Sequence, residues 1–364
     1  MNMINKELLS RLKKASTIDD TDILTNSEVY NKKDMVDTGI PALNIALSGE
    51  IDGGLTPGST VLAGPSKHFK SAFAMIMAGA YLKKYEDAIV MFYDSEFGIP
   101  EKYLQAFGID KDRVLHMPIS TVEELKNDLV FQLEKIIKRG DKICIVVDSI
   151  GNLASRKEVE DAINQKSVAD MTRAKAIKSL FRAITPKLTL RDIPLIAINH
   201  TYTEMGLYPR EIVSGGRGIM YSANNVWIIG RQQEKDKNKK LAGYNFIIRV
   251  EKSRFLKEKS EIPITVLYDS GINKWSGLFD LAIAGGYLQK EGNGYCLVDV
   301  ESGEVVGEKM KTDEVVNNDE FWESVLENTT FKEFIKNKFQ MNSGGSVDVE
   351  LLEDDVEDEE EDEE

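Results

Sequence analysis

Four short apolar runs, each followed by polar residues, alternate with helical patterns in the first two thirds of the chain. They are Thr60–Ala63, Ala88–Tyr93, Lys142–Val147 and Leu195–Ile198. This alternation is typical of a parallel β-sheet whose strands are connected by crossover helices. Because the carboxyl ends of parallel strands face one crevice in an open sheet, we expect the polar residues after these runs to meet at one edge.

The first apolar run leads into a loop and then a helix predicted over Ala72–Tyr85. The loop residues are Gly64, Pro65, Ser66, Lys67, His68, Phe69, Lys70 and Ser71. A loop between a strand and a helix can bind phosphate, because backbone N–H groups at the helix N-terminus point at the anion. Lys70 would neutralise the β- and γ-phosphate oxygens, and the Ser71 hydroxyl would join an Mg²⁺ shell.

Phe69 departs from the usual phosphate-loop pattern, which has glycine at this position. A side chain restricts the positive φ that glycine allows, so Phe69 argues against such a loop. On the pattern alone, a chance Lys-Ser pair at a helix start is the alternative interpretation.

Carboxylates follow two of the other apolar runs. Asp148 ends the run 143–147, the placement of a carboxylate that supports Mg²⁺, and Asp94-Ser95-Glu96 ends the run 88–93. Glu96 is placed to orient or deprotonate an attacking water. Either carboxylate alone could simply cap a strand end, but three strand ends with these residues favour a nucleotide hydrolase.

The flanking regions predict further elements. Ile4, Leu8, Leu9 and Leu12 recur at helical spacing in an amphipathic helix, which must pack on its own core or on a neighbouring subunit. Antiparallel strands are predicted at Tyr244–Val250 and Ile262–Tyr268, after a strand at 226–229. Beyond Gly277 we predict a small α+β unit with a hairpin across 299–304 and helices near 319–326 and 330–337. The predicted units are residues 1–30, 31–276, 277–341 and 342–364.

The acidic composition is concentrated at the C-terminus. Thirteen acidic residues and no basic residue lie between Asp348 and Glu364, and they account for all but −2 of the net charge of −15. Such a run repels itself and predicts a disordered tail, which is either solubilising or regulatory. The near-neutral remainder can carry a basic groove, so the net charge does not exclude nucleic acid.

The cysteines and the N-terminal residues bear on the cellular compartment of the protein. Cys144 lies in an apolar run, and both cysteines are expected to be reduced core thiols. The first thirty residues contain no apolar run long enough for a signal peptide or membrane span. We therefore expect a cytoplasmic protein without a membrane partner.

The motifs together resemble the RecA-family recombinases. Segments 64–71, 93–96, 147–149, 198–200 and 215–216 occur in the order and spacing of that family. Phe69, together with the segments 94–98, 199–201 and 250–254, is similar to the UvsX recombinases of T4-like phages. The resemblance runs from the N-terminal helix to the acidic tail. It implies an α/β fold: a RecA-like P-loop core with a twisted, mostly parallel sheet, an N-terminal polymerisation helix and a small α+β C-terminal domain.

The resemblance also implies the nucleotide-site roles. Lys70 and Ser71 would bind phosphate and Mg²⁺, Asp148 would support the metal, and Glu96 would be the catalytic carboxylate. Tyr103 would stack on adenine. His200 stands where RecA has a glutamine that senses the γ-phosphate, and an imidazole there makes coupling sensitive to pH.

Two cations near the end of the core are implied to act across the subunit interface. Lys252 and Arg254 match positions that would reach a neighbour's nucleotide and stabilise phosphoryl-transfer charge in trans. The alternative is a salt bridge within the chain, to Glu251 or Glu258.

DNA contacts are implied in two loops, from about Gly151 to Lys166 and from Tyr202 to Gly216, and in the residues that follow them. Mixed cations and aromatic rings suit single-strand binding, since cations meet phosphates and rings stack on bases. Taken singly, each cation is more typical of a solvated surface charge, so the prediction applies to the two loops as units. The candidate residues are Arg156, Arg173, Lys175, Tyr202, Tyr208, Arg210, Gly215, Gly216 and Arg217.

The implied function is that of a DNA-dependent ATPase that forms helical filaments on single-stranded DNA and pairs it with a homologous duplex in phage recombination, repair and recombination-dependent replication. Its cofactors would be ATP and Mg²⁺. Its partners would be both DNA forms, further copies of itself, a phage single-strand-binding protein and a recombination mediator. A hexameric helicase with the same core, and a filament or mediator protein that does not hydrolyse ATP, are the alternatives.

Overall fold

A computed structural model describes residues 5–18, 20–27, 34–165, 172–204, 210–327 and 329–341. The helices are α1 Lys6–Ala15, α2 Pro41–Ser48, α3 Lys70–Lys84, α4 Glu101–Ala106, α5 Val122–Phe131, α6 Arg156–Ile163, α7 Thr172–Leu190, α8 Arg217–Ser222, α9 Leu278–Ala284, α10 Thr312–Val315, α11 Asp319–Glu327 and α12 Thr329–Phe339. The strands are β1 Gly58–Ala63, β2 Ile89–Asp94, β3 Val114–Pro118, β4 Ile143–Asp148, β5 Pro194–Asn199, β6 Thr201–Glu204, β7 Arg210–Val213, β8 Asn225–Lys235, β9 Leu241–Ser253, β10 Glu261–Leu267, β11 Gly271–Ile272, β12 Leu288–Glu291 and β13 Gly294–Leu297.

The central sheet has nine strands in the order β11-β10-β9-β8-β1-β5-β4-β2-β3. The six strands from β8 to β3 are parallel, and β9, β10 and β11 are antiparallel additions at one edge. This confirms the predicted mostly parallel sheet and the predicted antiparallel strands. β3 was not predicted, because its five residues include a histidine and a proline, and only one side of this edge strand is paired.

Both faces of the sheet are covered, as the continuous apolar runs require. Phe92 contributes to a core with α2, α3 and the C-terminal unit. Its neighbour Tyr93 points to the opposite face and packs with α5 and α7. The alternation follows from the two-residue period of a strand. Helices on both faces leave the carboxyl ends of β1, β2, β4 and β5 at one edge of the sheet.

Helix α1 does not pack on the described part of its own chain. Asn5 caps it by accepting a hydrogen bond from the N–H of Leu8 at 2.9 Å. None of its residues is buried, and Leu12 is 60% exposed. The described residues therefore show no packing of α1 on the chain's own core. Ile4, the first residue of the predicted stripe, lies outside the described residues.

The C-terminal unit is a mixture of helices and short strands, as predicted. The rings of Trp275 and Trp322 stack with centroids 6.4 Å apart. The predicted turn is present, since the N–H of Asp299 donates to the carbonyl of Glu304. Helices α11 and α12 confirm the two predicted near 319–326 and 330–337. The acidic tail lies outside the described residues.

Cys144 and Cys296 are free and buried, in agreement with the prediction of reduced core thiols. Within the described ranges, no helix combines the length and the apolar character that a membrane crossing demands.

Candidate nucleotide and DNA site

The loop between β1 and α3 holds a buried lysine. Lys70 Nζ donates to the carbonyl oxygens of Gly64 and Pro65, at 2.9 and 2.7 Å. Burial lowers the pKa of Lys70, and the charges of Glu96 and Asp148 oppose that shift. The ammonium group is thus held at the mouth of the loop, where phosphate oxygens can replace the carbonyls as its acceptors.

Gly64 and Phe69 bracket this loop with positive φ angles of 153° and 62°. A Cβ on Gly64 would lie 2.8 Å from the carbonyl oxygen of Ile229, so the close approach of β8 requires glycine there. The expectation that a side chain at position 69 opposes the loop conformation is wrong, since Phe69 adopts the left-handed region. Its ring stacks on Phe246 at 5.1 Å and meets Phe73 edge-on at 5.2 Å. Each aromatic contact contributes about 0.5–1.5 kcal/mol, enough to offset a left-handed residue.

Asp148 lies at the end of β4 and is 2% exposed. The Ser71 hydroxyl donates to its carboxylate, whereas Oδ1 has no hydrogen-bond partner among the described residues. Burial, together with the charges of Glu96 and Asp94, raises the pKa of Asp148 to about 6. A hard divalent cation suits this oxygen pair, because it would restore the charge compensation that burial removes. Ser71 and Asp148 therefore fit the ligand chemistry of a magnesium site.

This environment predicts an unusual effect of Asp148→Asn on stability without nucleotide or Mg²⁺. Between pH 4 and 6 the unfolded carboxyl ionises before the folded one, so wild-type stability falls as pH rises and stays low above pH 6. A pKa near 6 in place of 3.8 corresponds to at most ~3 kcal/mol at neutral pH. In urea unfolding we expect the variant to be more stable by about 1–3 kcal/mol at pH 7.5 and equal near pH 4. A variant less stable than wild type at pH 7.5 would contradict this assignment.

Glu96, Ser149 and His200 form a connected cluster on three strand ends. Ser149 Oγ donates to Glu96 Oε1 at 2.7 Å and lies 3.4 Å from His200 Nε2. His200 Nε2 is 3.3 Å from the same Glu96 oxygen. The buried Asp94 accepts the backbone N–H groups of Glu96 and Phe97, at 3.0 and 2.8 Å. The strand ends thus bring Glu96 and His200 together near Lys70 and Asp148, as the sequence predicted, and they add the Ser149 hydroxyl, which it did not predict.

Ser149 and Arg231 were missed as members of the site. The Asp148-Ser149 pair at a strand end was visible in the sequence, but only the aspartate was given a role. Arg231 Nη1 donates to the carbonyl oxygen of Lys67 at 3.2 Å, and its guanidinium lies 4.7 Å from the Tyr244 ring centroid. Arg231 therefore connects β8 to the phosphate loop. No local sequence pattern predicts this contact.

Tyr103 joins two cavities beside the loop. The smaller cavity, of about 320 Å³, is lined by Ser71, Glu96, Asp148 and Tyr103 among others. The larger groove, of about 1170 Å³, is lined by Tyr103, Phe69 and Ile272 among others. The Tyr103 ring is 44% exposed and contacts Phe107 edge-on. The partly exposed ring thus lies next to a polar pocket that Ser71 and Asp148 also line.

Lys252 and Arg254 lie at the other end of the strands. The phosphate loop follows the carboxyl end of β1, whereas the N–H of Arg254 donates to Asn224, whose N–H donates to Ser59 at the amino end. Six strand residues span roughly 17 Å, so neither cation reaches its own loop. Lys252 Nζ donates to the Ala223 carbonyl oxygen at 2.7 Å.

Among the described residues, neither cation forms the alternative salt bridge with Glu251 or Glu258. Glu251 is paired with Lys259 instead. Burial lowers the pKa of Lys252, and the charge of Glu258 opposes that shift. Arg254 is exposed, and in the described ranges its side chain makes no ion pair.

The first predicted DNA loop is largely helical. A 3₁₀ turn at Ile150–Asn152 precedes α6, which Ser155 and Glu158 begin with a reciprocal capping box. The loop prediction over 151–166 is therefore wrong, and the Ser-x-x-Glu spacing was the overlooked signal. Arg156 and Lys175 are exposed, at the start of α6 and in the first turn of α7.

The second predicted loop contains an antiparallel pair, β6 and β7. Tyr202 is 54% exposed, and Arg210 is exposed on the opposite strand. Gly215 and Gly216 have φ angles of 92° and 80°, which glycine adopts without strain. Tyr208 and the side chain of Arg217 lie outside the described residues.

Arg173 is placed differently from the other candidate DNA contacts. Its guanidinium donates inward to carbonyl oxygens of the 3₁₀ turn region and to Ser214 Oγ. It thus joins the two candidate DNA segments instead of projecting from either.

Comparison with known proteins agrees with this architecture. A family model described as the RecA N-terminal domain matches residues 6–273. A second, described as the C-terminal domain of the bacteriophage T4 recombination and repair protein, matches residues 275–335.

Individual relatives extend over most of the chain. The "Recombination and repair protein" of Enterobacteria phage T4 is 47% identical over 347 residues, covering 94% of this chain and 88% of that protein. "Protein RecA" of Rhodococcus jostii is 25% identical over 326 residues, covering 88% and 87%. "Protein RecA" of Streptomyces ambofaciens is 25% identical over 266 residues, covering 72% and 68%. With its strand-end site and mostly parallel sheet, the chain belongs to the RecA family and is similar to the T4 recombination and repair protein along nearly its whole length.

Proposed function

We propose that this protein is a DNA-dependent ATPase that polymerises on single-stranded DNA and exchanges that strand with a homologous duplex. The observation that carries the proposal is the continuity between the catalytic cluster and the candidate DNA segments. His200 contacts Glu96 and is followed directly by β6, while Ser149 is followed directly by the turn that leads to α6. Family membership and the similarity to the T4 protein support the same function.

The subunit that binds the nucleotide supplies the first part of the proposed hydrolysis site. Glu96 accepts a proton from water as the water oxygen bonds to the γ-phosphorus, and the bond from that phosphorus to the bridging oxygen breaks. Lys70 stabilises the charge that develops on the phosphate oxygens. Ser71 and Asp148 would hold Mg²⁺, which supplies further charge neutralisation when bound. Tyr103 stacks on the adenine in the adjoining groove.

The proposed site is completed by a second subunit. Lys252 and Arg254 lie too far from their own phosphate loop, and in this proposal they meet a neighbour's nucleotide and stabilise transition-state charge there. Helix α1, whose leucines are exposed, docks on that neighbour. Hydrolysis is thereby coupled to assembly, and ATP binding favours the filament.

The proposed DNA surface binds the backbone without sequence preference. Exposed Arg156, Lys175 and Arg210 meet phosphates, Tyr202 stacks on a base, and Gly215 and Gly216 allow close approach. Base pairing between the strands supplies sequence recognition, and the exchange breaks no covalent bond in the DNA. A pairing assay with a single-stranded oligonucleotide and a supercoiled duplex tests this directly. We expect joint molecules with a homologous duplex and ATP, and none with a heterologous duplex.

Assays of duplex unwinding and of phosphate release separate the alternative functions. A hexameric helicase would unwind a duplex without homology, and a structural paralogue would release no phosphate with saturating single-stranded DNA. The proposal favours hydrolysis over the structural role because Lys70, Ser71, Glu96 and Asp148 are gathered at one edge. Joint molecules that form without ATP would also contradict it.

The acidic tail is proposed to regulate DNA binding or to dock a single-strand-binding protein or mediator. The N–H of Met341, the last described residue, donates to the carbonyl oxygen of Phe255, the residue that follows Arg254. Thirteen carboxylates tethered there compete with DNA phosphates for cations. Deleting 348–364 should strengthen duplex binding and weaken its Mg²⁺ dependence. If neither changes, the tail is only solubilising.

A further inference from the structure

The guanidinium of Arg173 bridges two separate backbone segments. Nε donates to the Leu153 carbonyl oxygen at 2.7 Å, and Nη2 donates to those of Ile150 and Gly151 at 3.0 and 2.7 Å. Nη1 lies 3.4 Å from Ser214 Oγ and donates to it. A guanidinium has five N–H donors in a fixed fork, and these contacts engage four of them.

The surroundings of Arg173 do not suit a contact between its guanidinium and a DNA phosphate. The side chain is half-buried, and burial lowers its pKa, although a guanidinium stays charged in proteins. A bidentate phosphate contact needs two free parallel donors, and the geometry leaves one. Lys175, two residues further along α7, is exposed and offers a cation to DNA without any such rearrangement.

Both bridged segments touch His200. A Cβ on Gly151 would lie 2.2 Å from His200 Cδ2, so the imidazole rests directly against the Gly151 backbone. The N–H of Ser214 donates to the His200 carbonyl oxygen at 2.9 Å. Asn199 Nδ2 donates to the Ser214 carbonyl oxygen at 2.7 Å. Both segments therefore contact His200, Gly151 at the imidazole and Ser214 at the backbone carbonyl.

The imidazole in turn touches the catalytic carboxylate. His200 Nε2 lies 3.3 Å from Glu96 Oε1, and Ser149 Oγ contacts both side chains. Ser149 immediately precedes Ile150, whose carbonyl is one of the guanidinium's acceptors. A continuous set of contacts thus runs from the guanidinium through Gly151 and His200 to Glu96.

We propose that Arg173 is a positioning residue that couples the two DNA segments to the hydrolysis site, and that it is not a DNA contact. The proposal rests on the DNA-dependent ATPase function proposed above. By fixing 150–153 to Ser214, the guanidinium makes the segments move together, so DNA bound to either one sets the position of His200. Without the bridge each segment moves independently, and DNA binding no longer affects the surroundings of Glu96.

The test compares Arg173→Gln and Arg173→Lys with Lys175→Gln, each titrated with single-stranded DNA at fixed ATP while phosphate release is followed. For Arg173→Gln we expect the ratio of maximal DNA-stimulated to DNA-free turnover to fall about tenfold, with a half-saturating DNA concentration close to wild type. Lys175→Gln should raise that concentration and keep the maximal ratio. Lysine at 173 cannot donate to all these acceptors at once, so Arg173→Lys should restore only part of the coupling.

The salt dependence of DNA binding provides the second readout. Loss of one phosphate contact lowers the slope of log affinity against log salt by about one. We expect that decrease for Lys175→Gln and not for either variant at 173. A lower slope with full stimulation for Arg173→Gln would assign Arg173 to DNA and overturn the proposal, and so would wild-type behaviour in both assays.

Two controls keep these outcomes distinct. If Arg173→Gln does not fold, as judged by circular dichroism, Arg173→Lys decides, because full coupling in a folded lysine variant overturns the proposal. If the wild-type protein itself shows no stimulation by DNA, the proposed DNA-dependent ATPase function fails first.

Discussion

Glu96→Gln is expected to lower DNA-stimulated phosphate release by about 10²–10⁴-fold while ATP still binds. The amide keeps an oxygen that can accept the hydrogen bond from Ser149, now 2.7 Å from Glu96 Oε1. It cannot take a proton from the attacking water. The change therefore removes the general base and preserves the shape of the pocket that Tyr103 and Ser71 line.

The measurement for this variant combines single-turnover hydrolysis with equilibrium binding of a fluorescent ATP analogue. Glu134→Gln is the matched control, since Glu134 is an exposed carboxylate that pairs with Lys187 away from the site. It should behave as wild type in both assays. If Glu96→Gln hydrolyses within about threefold of wild type, another group is the base and the assignment is wrong.

The double variant Lys252→Ala, Arg254→Ala is expected to lose about 10³–10⁵-fold in DNA-stimulated turnover, the range for cations supplied in trans. Each subunit keeps its own Lys70, Glu96 and Asp148, so nucleotide binding by the isolated subunit should persist. Lys259→Ala is the control, because Lys259 is an exposed cation nearby that pairs with Glu251.

Mixing distinguishes action across the interface from action within a subunit. Glu96→Gln supplies intact cations, and the double variant supplies an intact Glu96. In an equal mixture about one quarter of random interfaces would combine both intact halves, so activity should reappear from two inactive proteins. If the mixture stays inactive while it still co-assembles on DNA, the cations do not act across the interface.

The sheet could be predicted from the sequence because it depends on local apolar runs. The edge that carries the candidate site could be predicted because polar residues end those runs. Asp148 and Glu96 lie where strand ends were expected to meet. Edge strand β3 was missed because it pairs on one side only. Such a strand can form without the long apolar run by which the other strands were recognised. The helix α6 was taken for a loop, although Ser155 and Glu158 carry a capping signal.

The remaining differences come from contacts between residues far apart in the chain. The left-handed conformation of Phe69 depends on stacking against Phe246, 177 positions later, and no local propensity reveals that. Arg173 was taken for a DNA contact because it is a cation beside a predicted loop. Its contacts with Gly151 and Ser214 appear only once α7 is packed against the sheet.

The central claim is that the hydrolysis site is complete only between successive subunits of a filament on DNA. Electron microscopy with single-stranded DNA and a slowly hydrolysed ATP analogue tests it most directly. We predict continuous helical filaments in which Lys252 and Arg254 of one subunit lie against the nucleotide bound at Gly64–Ser71 of the next. Closed rings, or filaments whose nucleotide is contacted by one subunit alone, would contradict the account.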